Sequence, residues 1–274
     1  MTIKQASFEP EFYPIERVLI VGPLADALPM ADRAAAAGHT ITLLLPDEEA
    51  ENARTPHTIL KPDEGFEADA FDLVLELHVT HLDLKAESLL YLEDALSEQV
   101  PILTLTMAIS TGELSKEMLI ADRVIGVSLL PPFAETKIAE LMPTLHTNRE
   151  TVRTAERFFE SVGLSTVKVG DSPGGVLART VCCLVNEAAV ALQERIASSA
   201  EIDRAMQLGV AYPLGPLTWG DKIGLDRVLA VMEGLYAEYK EERYRPAPLL
   251  KKLVRAGFHG QRTGAGFFAT SPLS

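Results

Sequence analysis

The sequence predicts an α/β chain in which a doubly wound sheet is followed by an all-helical C-terminal domain. Three observations carry this. Short apolar runs recur through the first half, at 17–22, 40–45, 72–77, 101–105 and 123–128. They read as buried parallel strands. Helical stretches at 29–37 and 86–98 lie between them, which makes a βαβ series. From Arg149 onward the apolar spacing becomes mostly helical, so the reading places a boundary at Thr147-Asn148-Arg149 and two domains, 1–147 and 148–274.

The first run, Val18-Leu19-Ile20-Val21, leads into Gly22-Pro23-Leu24-Ala25-Asp26-Ala27 and then an alanine-rich stretch ending near Gly38. This is the strand–turn–helix setting of a Rossmann-like dinucleotide site. Of the three glycines in G-x-G-x-x-G only Gly22 is present; Leu24 and Ala27 stand at the second and third positions. The second glycine lets backbone approach a pyrophosphate, and Leu24 puts a side chain into that space. Asp26 adds a carboxylate to the first helical turn, where phosphate binds in such folds. The turn therefore predicts the strand–turn–helix shape without dinucleotide binding. An acid at the end of the second strand usually holds the adenosine ribose, and counting puts Leu45 there. Asp47, two residues on, either substitutes through a loop shift or caps the following turn. No arginine stands beside it to favour NADP.

His78 and His81 follow the third run, at the edge where open α/β sheets bind ligands. They read as a surface or core pair sooner than as a loose polar site, and no H-x-x-x-H metal spacing occurs. In the second half, 151–163 is amphipathic, and Ser172-Pro173-Gly174-Gly175 is a turn opening a long helix. Leu177, Val181, Leu184, Ala188 and Leu192 recur there at helical spacing. Ser198 and Glu201 fit a capping box. Pro213 and Pro216 interrupt the pattern before a further helix running to about Lys240.

Composition narrows the function. A chain of 274 residues, 47% apolar, can bury two cores. A net charge of −14 argues against a nucleic-acid partner. No apolar run is long enough for a membrane span, and the N-terminus lacks an apolar signal core, so the expectation is a cytoplasmic chain without a membrane partner. The adjacent Cys182 and Cys183 read as small core residues.

The second half resembles the 3-hydroxyacyl-CoA dehydrogenase family. The resemblance rests on Ser172-Pro173-Gly174, Glu201-Ile202-Asp203-Arg204-Ala205-Met206, Gly209, Tyr212-Pro213-Leu214-Gly215-Pro216-Leu217, Gly224-Leu225-Asp226, Leu249-Leu250, Gly257 and Thr263-Gly264-Ala265-Gly266-Phe267-Phe268. Asp72-Leu73-Val74-Leu75-Glu76 and Leu82-Asp83-Leu84-Lys85 extend it into the first half. It implies NAD as cofactor and a two-fold homodimer through residues 174–274, and the apolar stripe Val181, Leu184, Val185, Ala188 and Leu192 is wide enough to serve both core and partner. In the family a histidine is the general base on the substrate 3-hydroxyl and a glutamate orients it. A serine and an asparagine hydrogen-bond the reacting oxygen, and nicotinamide takes the hydride. The histidine segment G-x-H-F-F-N-P reads here Gly126-Val127-Ser128-Leu129-Leu130-Pro131-Pro132. Ser128 thus stands at the base, Met107 at the serine (with Thr106 and Ser110 close by) and Ala178 at the asparagine. Glu140 matches the orienting glutamate and is either a leftover bonded to Ser128 or backbone, or a lone acid or base. The segment 46–71 is too short for the helical hairpin that helps such enzymes bind coenzyme A. These departures imply weak or lost hydroxyacyl-CoA oxidation in a dimeric scaffold or a binder of another small ligand. The alternative is an active NAD-dependent oxidoreductase with a different substrate, using Glu140 or His78/His81.

Overall fold

The computed structural model describes residues 14–116 and 118–268. Its first part runs β1 (Arg17–Val21), α1 (Leu24–Ala36), β2 (Thr40–Leu44), α2 (Asp47–Asn52), β3 (Thr58–Leu60), β4 (Leu73–Glu76) and α3 (Leu82–Ala95). It continues with β5 (Ile102–Leu105), α4 (Thr111–Ser115), β6 (Val124–Ser128), β7 (Ile138–Met142), α5 (Arg149–Ser161) and β8 (Ser165–Lys168). All eight strands form one sheet in the order β3-β2-β1-β4-β5-β6-β7-β8. Neighbours from β3 to β6 are parallel, β7 runs antiparallel to β6, and β8 is parallel to β7. The five apolar runs are β1, β2, β4, β5 and β6. The strand order reverses between β1 and β4, so the ligand crevice of this sheet type opens at their carboxyl ends.

Successive side chains of β1 feed opposite faces, as the two-residue period requires. Val18 and Ile20 join α1, α5 and the C-terminal helices in one core, while Leu19 and Val21 join Leu89, Leu92 and Ile102 in a second.

The sheet reaches further along the chain than the sequence pattern suggests. Helix α5 packs on β6, β7 and β8, and β8 ends at Lys168, so the expected boundary at 147–149 moves beyond it. Strand β8, Ser-Thr-Val-Lys, is a mostly exposed edge strand; without an apolar run it leaves no strand signature. The three-residue β3 and the acidic helix α2 lie within the segment 46–71 and escape notice for the same reason.

The second part is helical: α6 (Leu177–Gln193), α7 (Ser199–Val210), α8 (Pro216–Ile223), α9 (Leu225–Tyr239) and α10 (Pro248–Arg255). Helix α6 is central and packs on α7, α8, α9 and α10. Ser198 and Glu201 close a complete capping box at α7. Gly224, at φ +105°, breaks what the sequence reads as one helix into α8 and α9. Of the stripe expected to serve both core and partner, Val181, Val185 and Ala188 are buried within the chain's own core, and Leu184 and Leu192 are half-buried. No described helix is long and apolar enough to cross a membrane. Residues 1–13 and 269–274 of the expected domains lie outside the described residues.

Candidate functional site at the sheet edge

The β1–α1 turn keeps the expected shape. Gly22 has φ +141°, and its N–H donates to the Leu44 carbonyl at 3.2 Å, closing the chain over the end of β2. Leu24, the first residue of α1, is half-buried and packs on the core, and Ala27 is fully buried there.

Asp26 does not face the free amides of α1, as the sequence suggests. Its carboxylate accepts both hydrogen bonds from Arg227 Nη2 of α9, at 2.6 and 2.8 Å. Both residues are buried. Burial pushes the Asp26 carboxyl above its ordinary value, and the Arg227 guanidinium only partly offsets this. The negative group at the helix start comes instead from α2: Glu49 Oε2 accepts the Leu24 N–H at 2.5 Å. Asp47 is exposed at the first position of α2, and with Glu48 and Glu49 it makes that turn acidic. Leu45 is buried and brings no acceptor to the ribose position.

Ser128 and Glu140 are brought face to face, because β6 and β7 pair them across the antiparallel ladder. Neither bonds the other. Ser128 Oγ donates to the Gly174 carbonyl at 3.2 Å. The Glu140 carboxylate accepts the N–H groups of Val176 and Leu177, each at 3.1 Å, and so occupies the start of α6. Gly175, at φ +55°, lies against both side chains, and a Cβ there would crowd Glu140 Oε2. Met107 and Ala178 are fully buried in the apolar core. The hydroxyls near Met107 are engaged elsewhere. Thr106 Oγ1 donates to the Val127 carbonyl, and Ser110 Oγ accepts the Glu113 N–H to cap α4.

Sequence reasoning misses one polar cluster, at the end of β4. The buried Glu76 accepts on Oε1 from the backbone N–H and the Nδ1 of His78, at 2.7 and 2.9 Å. Oε2 accepts from Thr104 Oγ1 at 2.7 Å and from the Lys85 ammonium of α3. Burial alone would raise the Glu76 carboxyl, but the Lys85 charge and the His78 hydrogen bond outweigh it and hold it below its ordinary value. The usable signals are a lysine nine residues after an acid that ends a strand, and an acid-x-His step. His81 is exposed just before α3 and takes no part. His78 lines a pocket of about 290 Å³ with Leu44, Leu45, Leu84, Ser88 and Tyr91. No group of metal-ligating side chains occurs among the described residues.

Comparison with known proteins accounts for this architecture. Residues 30–172 match the 3-hydroxyacyl-CoA dehydrogenase NAD binding domain, and residues 174–270 match the C-terminal domain of the same family. The first match begins after the Gly22–Ala27 turn. A 3-hydroxybutyryl-CoA dehydrogenase of Clostridioides difficile is 36% identical over 197 residues, 72% of this chain and 70% of that protein. A probable 3-hydroxybutyryl-CoA dehydrogenase of Bacillus subtilis is 33% identical over 202 residues, 74% of this chain and 70% of that one. The crystal structure of an (S)-3-hydroxybutyryl-CoA dehydrogenase from Ralstonia eutropha superposes with a TM-score of 0.79 and 31% identity, over 94% of this chain and 100% of that one. With both domain models matched in order along one chain and the same sheet-plus-helices architecture, this protein belongs to the 3-hydroxyacyl-CoA dehydrogenase family.

Proposed function

We propose that this protein keeps the family's two-domain frame, that its oxidation of 3-hydroxyacyl-CoA is weak or absent, and that its sheet edge holds another small molecule. The observation that carries this is Ser128. It stands where the family has its base, has no group that titrates near neutrality, and donates its hydrogen bond to the Gly174 carbonyl. Loss of a positioned general base costs about two to four orders of magnitude in rate. Glu140 is no ready substitute, since backbone amides of α6 hold its carboxylate. A dinucleotide fits the β1–α1 turn poorly. A diphosphate there would have to displace the Glu49 carboxylate from the Leu24 N–H and approach the acidic first turn of α2.

A second reading is an NAD-dependent oxidoreductase with a different substrate and altered acid–base residues. The names of the relatives, dehydrogenases throughout, and the match to an NAD binding domain favour it over a silent scaffold. Calorimetric titration with NADH, paired with an acetoacetyl-CoA reduction assay, separates the two. The first reading expects no NADH binding at millimolar ligand and little or no turnover; micromolar binding with efficient turnover would select the second. A two-fold homodimer through the helical part belongs to either proposal.

A further inference from the structure

A continuous groove crosses the molecule at the amino ends of the parallel strands, opposite the ligand crevice at their carboxyl ends. It consists of three hollows of about 590, 350 and 940 Å³. The first lies at the starts of β1, β4 and β5 and is lined by Pro14, Phe71 and Val100. It shares Pro101, Glu150 and Thr154 with the second, and the second shares Ile120 and Asp122 with the third. The third is the largest and reaches Pro143, just after β7. There Leu119 and Leu145 stand exposed beside Met118 and Ile120. Two bare leucines on the rim of a hollow form an apolar surface that lacks its cover.

The chain itself supplies a cover of matching length. Residues 1–13 lie outside the described part and join it at Pro14, on the wall of the first hollow. From β1 to β7 the sheet order counts four strand spacings, which makes about 19 Å. An extended chain crosses that distance in about six residues, and the sixth residue before Pro14 is Phe8. The segment Phe8-Glu9-Pro10-Glu11-Phe12 alternates apolar and acidic residues. Extended, it puts Phe8, Pro10 and Phe12 on one face and both glutamates on the other. Pro10 and Pro14 disfavour helical geometry at Glu9 and Tyr13. We propose that residues 8–13 lie extended along this groove in the same molecule, with Phe12 over Phe71 and Val100 and Phe8 between Leu119 and Leu145. Glu9 and Glu11 then face water, away from Asp72, Glu98 and Glu150 on the groove walls. The segment becomes a strap across the amino ends of the sheet.

The test uses the full-length protein. A Phe8→Cys/Leu145→Cys variant treated with a short bismaleimide should become linked within one chain, as mass spectrometry of its peptides reads. Phe8→Cys/Leu208→Cys, with its second cysteine on the exposed side of α7, should not. Chymotrypsin cleavage after Phe8 or Phe12 should be about tenfold faster in Leu119→Ser/Leu145→Ser than in the unaltered protein, because cleavage follows the undocked fraction. Both leucines lie at the surface, so this variant keeps the fold, and its circular dichroism should be unchanged. Linkage between two chains only would place the segment of a second copy in the groove and overturns the proposal. Absence of linkage to position 145, equal linkage to both positions, or equal cleavage rates also overturn it.

Discussion

Glu140 shows how one carboxylate can match a catalytic position and perform structural work. Its two oxygens take the Val176 and Leu177 amides, which otherwise would stand at the start of α6 without an intrahelical partner. Glu140→Ala should therefore cost about 0.5–2 kcal/mol in urea unfolding, the penalty of removing a helix-capping acceptor. Glu140→Gln, which keeps one acceptor oxygen, should cost less. A side chain serving only as acid or base would leave stability unchanged in both. At the end of β4, Glu76 has a carboxyl held below its ordinary value, so its stabilising contribution is present above the ordinary glutamate range and is lost as pH falls through the folded-state value. Thermal melts from pH 7 downward should show that loss, and Glu76→Gln should remove this component of the slope.

At the scale of elements, close helix contacts are made by particular glycines. Gly234 brings α9 onto the loop after β5, where an added Cβ would collide with the Ala108 carbonyl oxygen. Gly209 lies on the exposed side of α7 with nothing near it. Both lie in helices, so the same change to alanine should act in opposite directions. Gly234→Ala should destabilise by about 1–3 kcal/mol through overpacking. Gly209→Ala should stabilise by about 0.5–1 kcal/mol through helix propensity. Denaturant midpoints of the two variants give the comparison directly. Equal effects would mean that α9 does not rest on that loop.

At the scale of the whole molecule, the Asp26–Arg227 pair joins α1 of the sheet to α9 of the helical part across 201 positions of sequence. Removing one partner strands the other in the interior. Arg227→Met should cost about 3–5 kcal/mol near neutral pH. Burial already holds Asp26 above its ordinary value, so its protonation favours the folded state at low pH, and that advantage is lost as pH rises through the folded-state value. Without Arg227 the carboxyl rises further. The stability gap between variant and unaltered protein should therefore narrow as pH falls towards 4, which paired urea titrations would read. For association, light scattering at micromolar protein should give twice the 29.8 kDa chain mass; a monomer would remove the dimer from the proposal.

The parts of this fold legible in the sequence alone are those in which neighbouring residues share one environment. The strands β1, β4, β5 and β6 are buried almost throughout and β2 largely so, so each appears as a short, mainly apolar run. The α7 capping box is legible because its partners lie three residues apart. Gly22 is legible because a sharp turn between a strand and a helix needs its positive φ. At the site, the same local reading identifies Ser128 in place of a titrating base. It gives no means of knowing that Asp26 is neutralised by Arg227, or that Glu49 takes the helix amide in its stead. Nor does it show that Glu76, His78, Lys85 and Thr104 converge. Those partners are chosen by which strand ends and helices the packed domains bring within a few ångströms. A buried charge then takes whatever counter-group lies within reach, because the low-dielectric interior makes an unpaired one too costly to keep.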